Sequence, residues 1–556
     1  MAEQYHFDAI VIGSGITGGW AAKELCERGL QTVLLERGTT VEHIKDYTHA
    51  NKHPWELPHR NELTKEEEAI YYVQKRHYSI GEDNKQYYTR DIDQPYKEEQ
   101  PFDWIRPDVL GGRSLLWGRI SLRWSDLAFS ANAKEGVGID WPIRYKDLAP
   151  WYDHVERFIG ISGTREGIDT LPDGIFQAPF DMNCAETAVK HLMERKHPSI
   201  RIIPTRVANI TAPLDGRSAC QARNLCHRGC PFGAYFSSQS STLPAAVKTG
   251  RLTIRTGSIV NTILYDEKKG KATGVEIIDR DTLKTYVYTA NVIFLNASTI
   301  GTAQVLLNST SPRFRNGLGN DYDIVGRYLM DHHKGLTIGA DVEGQDDHYY
   351  YGRRPTGIFI PRFRNVYKQE TDFLRGYDFQ GNGYRSRNAP SDEVGAGLKA
   401  AATEPGKWRI QFYHYGETLP YAENRVTLNP SIKDVFGRPG ISINCSFKEN
   451  EQKMFNDAGT ALPQMMEDAG LKNIRVQGKM STPGNANHEM GTARMGHDEK
   501  TSVLNKWNQL HAVKNVFVTD GSCMTSSHCI NPSLTYMALT ARAVDYAVSE
   551  MKKGTI

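Results

Sequence analysis

The chain has 556 residues, of which 39% are apolar and 24% charged, and its 67 basic and 65 acidic residues give a formal net charge of +2. This composition predicts about two to four globular units and excludes disorder as the main state. The balanced charge excludes the basic surface that nucleic-acid binding requires, and no apolar run is long enough to span a membrane. We also expect no signal peptide in this chain, because its first residues lack the basic and apolar regions of one.

A strand, a helix and a second strand are predicted at the start of the chain. Residues 7–13 are expected to form a buried strand, residues 16–28 a helix and residues 32–35 the next strand. This order is typical of the βαβ unit that begins a doubly wound sheet, so we expect an α/β fold for this part of the chain.

The turn between the first strand and the helix carries a dinucleotide-binding motif. Its glycines, Gly13, Gly15 and Gly18, allow a tight turn, the close approach of a pyrophosphate, and the packing of helix on strand. Free N–H groups and the helix dipole then face the phosphates. Glu36 ends the second strand, where a carboxylate accepts hydrogen bonds from a ribose diol, and Arg37 follows it. We expect a dinucleotide here; the alternative is a glycine-rich turn without a ligand.

Residues 46–99 interrupt the alternating pattern. They are polar, charged and rich in histidine, which predicts a surface insertion that acts as a lid or docking arm. The spacing of the histidines fits no set of metal ligands, so a solvated face is the preferred interpretation of this segment.

The middle of the chain is predicted to hold a β-meander and then a second sheet. Apolar residues recur at helical spacing over residues 141–160. Strand-like runs follow at 201–210, 252–256, 261–265, 273–278, 284–288 and 291–296, which predict the meander. Further runs at 335–341, 408–414 and 425–428 predict a second, antiparallel sheet. A helix is expected at 448–470, and the chain then returns to its first pattern with a strand at 516–519 and a helix at 533–551.

A feature near the C-terminus distinguishes between dinucleotides. Asp520 and Gly521 directly follow the strand at 516–519, where the carboxylate can bind the ribityl or pyrophosphate region of an extended FAD. A simple NAD enzyme has no need of such a residue, and the chain carries no second G-x-G-x-x-G motif. Ala297, after a third strand, is expected beside the same cofactor. The sequence therefore favours FAD.

Pieces along nearly the whole chain resemble the glucose–methanol–choline (GMC) flavin oxidoreductases. They are VIGSGITGGWAAKEL and LLERG at the start, LGGRSLLWG at 110–118, WPIRYKDLAPWY at 141–152, VIFLNASTIGTAQVLLNS at 292–309, VGRYLMDHH at 325–333, ENRVTL at 423–428, HEMGTARMG at 488–496, and DGS with NPSLTYMALTARA at 520–543. Within the family these pieces are most similar to bacterial sugar dehydrogenases, closest to the glucoside 3-dehydrogenase large subunits, and to related pyranose oxidases.

The resemblance implies a Rossmann-like FAD-binding domain of the α/β class, with a second α+β substrate domain that contains an antiparallel sheet. The predicted FAD-binding domain is discontinuous and comprises residues 1–45, 100–135, 205–325 and 480–556. The predicted substrate-binding domain comprises residues 136–204 and 326–479.

The loop after Leu110 is expected to wrap the flavin, through Gly111, Gly112, Ser114 and Trp117. Some family members link FAD covalently to a histidine in this loop. No histidine is present here, so the resemblance implies non-covalent FAD. Plain core packing is the alternative interpretation of Trp117.

The resemblance also implies a catalytic pair. Oxidation of an alcohol needs a base for the hydroxyl proton while flavin N5 accepts a hydride, and histidine is the usual base. The family carries a histidine in an H-x-x-G-T pattern and a histidine or asparagine further on, and His488 and Asn531 match them. His488 is thus expected to be the base and Asn531 to hold the substrate oxygen. Pro532 follows, at the start of a helix whose positive end would face the flavin.

Two alternatives accompany this assignment. His528 lies close to Asn531 in sequence and is a rival base, although a loop histidine satisfied by backbone groups is the preferred interpretation. Asn531 itself would also serve well as the N-cap of the final helix.

Three cysteines, Cys220, Cys226 and Cys230, form the most ambiguous feature of the sequence. Thiolates at this spacing can ligate iron, and some related sugar dehydrogenases carry a [3Fe–4S] cluster in this region. Structural thiols are the main alternative, followed by a zinc site or a redox disulfide, and Cys184 is too distant to count as a fourth ligand. With a cluster, electrons would pass to a partner, and we expect a small subunit and a cytochrome acceptor. Co-export with that subunit would give a periplasmic location; a cytoplasmic one is the alternative.

The expected activity is that of an FAD-dependent dehydrogenase that oxidises a secondary alcohol of a sugar or glycoside, for example the C3 hydroxyl to a 3-keto sugar. A strand of alternating character supplies candidate substrate residues, Gln411, Tyr413 and His414 together with Glu417, each of which has ordinary sheet packing as its alternative. The alternative functions are a sugar oxidase that uses O2 and a catalytically idle FAD-binding subunit. The presence of both His488 and Asn531 argues against the idle subunit.

Overall fold

The computed structural model of the protein describes residues 4–348, 354–387 and 392–556. In chain order its strands are Gln4–Ile12 (β1), Thr32–Leu35 (β2), Lys97–Glu98 (β3), Ile203–Pro204 (β4), Leu252–Arg255 (β5), Ser258–Asp266 (β6), Lys271–Asp279 (β7), Thr285–Leu295 (β8), His333–Val342 (β9), Ile358–Ile360 (β10), Tyr377–Arg387 (β11), Pro405–Gly416 (β12), Arg425–Lys433 (β13), Pro439–Asn444 (β14), Lys472–Gln477 (β15) and Val516–Val518 (β16).

The α-helices range from single turns to long amphipathic segments. They are Ile16–Glu27 (α1), Lys65–Ile70 (α2), Asp126–Phe129 (α3), Ala131–Glu135 (α4), Tyr145–Ile159 (α5), Cys184–Lys196 (α6), Leu243–Lys248 (α7), Thr299–Asn308 (α8), Gly395–Thr403 (α9), Glu449–Asp468 (α10) and Ser533–Lys553 (α11). In the described ranges, each helix is too short or too polar to cross a bilayer.

The first sheet carries the predicted βαβ opening. Its strand order is β5-β2-β1-β8-β7-β6, and β16 pairs with β8. Strands β5, β2, β1, β8 and β16 run parallel, whereas β6 and β7 form an antiparallel hairpin that continues from β8. Helices α1 and α11 cover one face of the parallel part, which explains the almost unbroken apolar sequence of these strands. The α/β class expected from the sequence is confirmed.

Several strand predictions in this region were wrong in detail. The runs at 284–288 and 291–296 are one strand, β8, because no glycine or proline interrupts them and each end pairs with a different neighbour. The run at 252–256 belongs to the parallel edge as β5 rather than to the meander. Of the run at 201–210, only Ile203–Pro204 forms a strand, since proline lacks the N–H that a sheet interior requires.

The second sheet is antiparallel, as expected, with the order β15-β9-β12-β11-β10-β4. Helices α6 and α10 pack their apolar sides on one face of it. The predicted strand at 425–428 is not part of this sheet; as β13 it joins β14 and β3 in a separate three-stranded sheet. The opposite face of the second sheet turns toward the first sheet and borders the cavity described below.

The 46–99 insertion is packed more closely than a purely solvated face. Tyr71, Val73 and Tyr88 are buried in an apolar cluster with residues of β13 and β14. Helix α5, within residues 141–160, packs against α11, and the Tyr152 and Thr535 hydroxyls lie 2.7 Å apart. The domain boundaries given above remain a prediction.

Candidate active site

A cavity of about 620 Å³ lies between the two large sheets. Its volume falls within the range of roughly 300–1,000 Å³ typical of ligand sites. Of the sequence-predicted site residues, it is lined by Gly13, Gly15, Glu36, Arg37, Gly112, Trp117, Ala297, Tyr413, His488, Asp520, Gly521, Asn531 and Pro532. The fold therefore brings most of the predicted cofactor and catalytic residues to one space.

The glycine motif forms one end of this cavity. A Cβ atom on Gly13 would lie 2.4 Å from the Asn296 carbonyl oxygen, and one on Gly18 would lie 1.8 Å from the Gly13 carbonyl oxygen. A Cβ atom on Gly15 would meet no atom within 4 Å, because this residue faces the cavity. Gly15 is also the N-cap of α1, and no side chain caps the first turn of that helix. The free N–H groups and open space fit the pyrophosphate of a dinucleotide.

Glu36 lines the cavity beside the glycine motif. Its carboxylate accepts hydrogen bonds from the Ser14 N–H at 2.9 Å, the Ser14 hydroxyl at 2.5 Å and the Gly38 N–H at 2.8 Å. Burial raises the pKa of Glu36, which these hydrogen bonds partly offset. Arg37 lies beside it at the cavity wall and pairs with Asp108 at 3.3 Å.

The 111–118 loop divides into supporting and exposed residues. The Gly111 N–H donates to the Ser14 hydroxyl at 2.7 Å, and the buried Ser114 hydroxyl donates to the Gly111 carbonyl at 2.6 Å. Neither Gly111 nor Ser114 lines the cavity, whereas Gly112 and Trp117 do. The Trp117 indole is anchored by a 2.9 Å hydrogen bond to the Phe236 carbonyl, so its ring is held at the cavity wall.

Asp520 and Gly521 lie where β16 ends. The Asp520 carboxylate accepts hydrogen bonds from the Ser522 N–H at 3.0 Å and the Thr302 hydroxyl at 2.6 Å. Burial raises the pKa of Asp520. A Cβ atom on Gly521 would lie 2.4 Å from the Glu489 carbonyl oxygen, so this glycine lets the end of β16 approach the segment that carries His488. The free N–H groups at the start of α1, the space beside Gly15 and the carboxylates of Glu36 and Asp520 all fit FAD.

His488 and Asn531 meet at the other end of the cavity. The Asn531 side-chain nitrogen lies 3.2 Å from His488 Nε2, and its oxygen accepts a 2.9 Å hydrogen bond from Gln380. His488 Nδ1 lies 3.0 Å from Nδ1 of His332. Burial, followed by the neighbouring His332, Lys334 and Arg113, lowers the pKa of His488 well below its ordinary value. The imidazole is therefore neutral near pH 7, in the state that can accept a proton.

The N-cap interpretation of Asn531 is wrong. The N-cap of α11 is Pro532, and no side chain caps the helix. The Asn531 side chain instead contacts His488 and Gln380. Because it does not cap the helix and lines the cavity, it can also contact a ligand there.

Sequence reasoning missed His332, Gln380 and Lys334. All three contact His488 or Asn531, or line the cavity beside them, but they lie far from both in sequence. The DHH triplet at 331–333 was a signal for His332, whereas nothing local marks Gln380.

His528 does not reach the cavity. It is buried, its Nδ1 accepts a 2.6 Å hydrogen bond from the Cys529 N–H, and its ring packs on Trp124. The backbone-satisfied interpretation therefore fits Nδ1 alone, because Nε2 is buried without a hydrogen-bond partner among the described residues.

Two of the substrate candidates on β12 are corrected by the structure. Tyr413 lines the cavity with 40% of its surface exposed, but His414 is buried on the opposite face, against His333 and Phe455. Gln411 does not line the cavity, and Glu417 is buried beside Arg362 and Arg375. Side chains alternate along a strand, so Tyr415, which was not predicted, faces the cavity instead of His414.

The three clustered cysteines line a separate cavity of about 20 Å³. Pro355 borders both this cavity and the large one. Arg119, which lines the large cavity, lies close enough for its charge to act on Cys226 and Cys220. Across residues 4–348, 354–387 and 392–556, no group of three His, Cys, Asp or Glu side chains is arranged to hold a metal ion.

Comparison with known proteins gives consistent matches over the whole chain. Two family models, both described as GMC oxidoreductase, match residues 7–334 and 420–540. The chain is 30% identical to a 2-methyl-1,2-propanediol dehydrogenase of Mycolicibacterium austroafricanum, over 97% of this chain and 94% of that protein. It is 26% identical to the fructose dehydrogenase large subunit of Gluconobacter japonicus, over 98% of each. Among solved structures, a formate oxidase variant of Aspergillus oryzae RIB40 has the same fold, with a TM-score of 0.62, 15% identity and full coverage of both chains.

Two glycines of the motif, Gly15 at the cavity and Gly18 in the packing of α1, allow a paired test of cofactor binding. Gly18→Ala forces a Cβ atom onto backbone and should lower the stability of the apoprotein by about 1–3 kcal/mol. Gly15→Ala should leave the thermal midpoint of the apoprotein unchanged, while reducing the FAD that copurifies, because its methyl group enters only the cavity. Flavin absorbance and thermal unfolding measure the two effects. A Gly15→Ala protein with full FAD content would contradict this account of the phosphate site.

Proposed function

The chain belongs to the GMC oxidoreductase family, and on that premise we propose that it oxidises a secondary alcohol of a neutral sugar or glycoside. The observation that carries the proposal is the side-by-side arrangement of His488 and Asn531 in a cavity whose far end fits a dinucleotide. The names of the two relatives, a diol dehydrogenase and a fructose dehydrogenase large subunit, support an alcohol substrate. FAD, when bound, supplies the hydride acceptor.

His488 acts as the base in this proposal. Its neutral imidazole accepts the proton of the substrate hydroxyl at Nε2, the nitrogen that borders Asn531. The Asn531 amide donates a hydrogen bond to the same substrate oxygen, which holds that oxygen within reach of the base. Helix α11 begins directly after this pair, and its positive end favours negative charge at that edge of the cavity.

The charges around the cavity favour a neutral substrate over a cationic one. Each acidic side chain that lines it already has a protein partner: Glu36 has Ser14, Asp520 has Thr302, and Glu489 has Arg113. Lys334 also lines the cavity, and its ammonium group forms no ion pair or hydrogen bond with any residue that the structure describes. Burial lowers the pKa of Lys334, which the nearby Asp331 and Asp103 oppose. Two like charges about 4 Å apart repel by about 4 kcal/mol at an effective dielectric constant near 20. An ammonium group on the substrate would therefore bind poorly here.

Aromatic side chains supply a surface for a sugar ring. Tyr78 of the 46–99 insertion, together with Tyr413 and Tyr415 of β12, lines the cavity. The apolar C–H faces of a pyranose pack well on such rings, while the nearby amides of Gln380 and Asn382 can bind hydroxyl groups. We propose the C3 hydroxyl as the site of oxidation because of the resemblance to glucoside 3-dehydrogenases.

The electron acceptor is proposed to be a partner protein, reached through an iron–sulfur cluster at Cys220, Cys226 and Cys230. The three thiols line one cavity next to the active site, and the Arg119 guanidinium lies near Cys226 and Cys220, where its positive charge would favour thiolates. Burial acts in the opposite direction and raises the pKa of the Cys220 thiol. The cavity of about 20 Å³ has room for about one water molecule, so a cluster would require the thiols to move apart. Each thiol of a [3Fe–4S] cluster binds a different iron, so its ligands stand further apart than those of a single ion. A small subunit, a cytochrome acceptor and periplasmic co-export complete this proposal. The alternative is an oxidase that passes electrons to O2.

Replacement of the base tests the catalytic assignment. His488→Ala should lower kcat by about 10²–10⁴-fold, since a positioned base contributes about that much, while FAD remains bound. His528→Asn is the matched control, because this histidine is buried outside the cavity, and it should keep most of the activity. Steady-state kinetics with a dye acceptor and flavin absorbance provide the measurements. Full turnover by His488→Ala would reject the assignment.

Substrate charge provides a second test. Among sugars that are turned over, an amino-deoxy analogue should have a kcat/KM at least about tenfold below that of its neutral parent, a difference of about 1.4 kcal/mol. Lys334→Gln should reduce this discrimination. Lys479→Gln, which removes an exposed lysine outside the cavity, should not change it. Equal kcat/KM values for the two sugars in the unmodified enzyme would contradict the charge argument.

Iron content and oxygen uptake test the acceptor. Anaerobically purified protein should contain about three iron atoms per chain and give an EPR signal of an oxidised [3Fe–4S] cluster. Cys226→Ser should lose the iron, whereas Cys184→Ser, at the start of α6, should retain it. Sugar oxidation should be supported by a dye, with little oxygen uptake at an electrode, and NMR of the product identifies the oxidised carbon. Protein without iron that consumes one O2 per sugar would favour the oxidase.

A further inference from the structure

We infer that His332 is a positioning residue that fixes the tautomer of His488, so that the lone pair of Nε2 faces the substrate. This inference rests on the proposed function, because it assumes that His488 is the base. His332 lies at the start of the second sheet, directly before β9, and is fully buried. It lines neither the large cavity nor the cysteine cavity, so it acts on the proposed reaction through His488.

The hydrogen-bond partner of His332 determines its own tautomer. Its Nε2 lies 3.3 Å from the Ser527 carbonyl oxygen, which can only accept. Nε2 of His332 therefore carries the proton. Burial lowers the pKa of His332 to about 4, so the ring is neutral near pH 7 and its Nδ1 has a lone pair.

The tautomer of His488 follows from that of His332. The two Nδ1 atoms are 3.0 Å apart, and one of them must donate. Because Nδ1 of His332 has no proton, His488 donates from Nδ1, and its Nε2 has the lone pair. The Asn531 contact agrees with this result, since the Asn531 oxygen accepts from Gln380 and its amide N–H groups therefore point to His488 Nε2 at 3.2 Å.

His332 has the role that the aspartate has in a Ser-His-Asp triad: it accepts a hydrogen bond from Nδ1–H of the neighbouring histidine and so fixes its tautomer. It holds the ring, with the two imidazole planes at 72° and their centres 4.8 Å apart. When His488 Nε2 accepts a proton, the hydrogen bond from Nδ1 becomes charge-assisted and stronger. Protonated His488 is therefore stabilised by a neutral partner. A negatively charged partner at the same place would also raise the pKa of His488, so that the ring would be protonated before the substrate is bound.

Three substitutions at His332 separate its contacts. His332→Asn retains a hydrogen-bond acceptor at the position of Nδ1, which faces His488. His332→Gln retains only an amide N–H donor that reaches the Ser527 carbonyl oxygen. His332→Leu retains neither group. We expect kcat to fall about 10–100-fold in the Gln and Leu proteins, with KM nearly unchanged, by analogy with the 10–100-fold effect of residues that orient metal-ligating histidines. The Asn protein should recover most of the loss. His414→Leu, which removes another buried histidine of the same sheet, controls for packing damage.

The pH profile provides a readout that simple loss of packing would not produce. The repulsion by which His332 lowers the pKa of His488 acts only where His332 is itself protonated, near pH 4 and below. At higher pH His332 is neutral, and loss of its acceptor for Nδ1–H makes protonated His488 less stable. The acidic limb of kcat should therefore move to lower pH in His332→Leu and return in His332→Asn. The other charged or titratable groups that face His488 are the same in all variants: Lys334, Arg113, Asp331, Glu489 and Tyr415.

The outcomes distinguish this inference from the proposed function. An active His488→Ala enzyme would overturn both. An inactive His488→Ala enzyme together with wild-type kcat and an unshifted pH limb in His332→Leu would overturn only the role of His332. Equal losses in the Asn and Leu proteins, with full FAD content in each, would also overturn it.

Discussion

The position of His488, the proposed base, depends on a single buried carboxylate. Asp331 accepts hydrogen bonds from three backbone N–H groups, those of Gly484 at 2.8 Å, Ala486 at 3.2 Å and His488 at 3.0 Å. Burial, reinforced by nearby Glu489, raises the pKa of Asp331 to about 7, because a negative charge is poorly solvated at this place. Since Asp331 directly precedes the second sheet and the 484–488 loop leads back to the first, this contact joins the two halves of the protein where the chemistry is proposed.

The elements that the sequence could predict are those whose signal is local. The glycine turn, α1 and β2 follow one another within a short segment, and the close contacts of Gly13 and Gly18 explain why glycine stands at these positions. Strand β8 was split in two because its pairing with different partners at its two ends is not visible in sequence. His414 was assigned to the wrong face because alternation defines two faces without saying which one turns to the core.

Contacts between residues far apart in the chain could not be predicted from the sequence. His332 meets His488 across 156 positions, and Gln380 meets Asn531 across 151. Neither residue type is diagnostic, and only the antiparallel sheet brings them together. The resemblance to the family predicted His488 and Asn531. Their hydrogen-bond partners His332 and Gln380 could be found only in the folded structure.

The strands that cover the cavity lie between the two segments that the GMC family models match. Residues 335–419 include β10, β11 and β12, which contribute Gln380, Tyr413 and Tyr415 to the cavity wall. The phosphate turn, Asp520 and the His488–Asn531 pair all belong to the matched segments. The proposed cofactor and catalytic residues thus lie in the segments that the family models match, whereas the strands proposed to contact the substrate lie between them. On this proposal, changes on one face of a single sheet would alter the substrate without disturbing the residues that hold the cofactor.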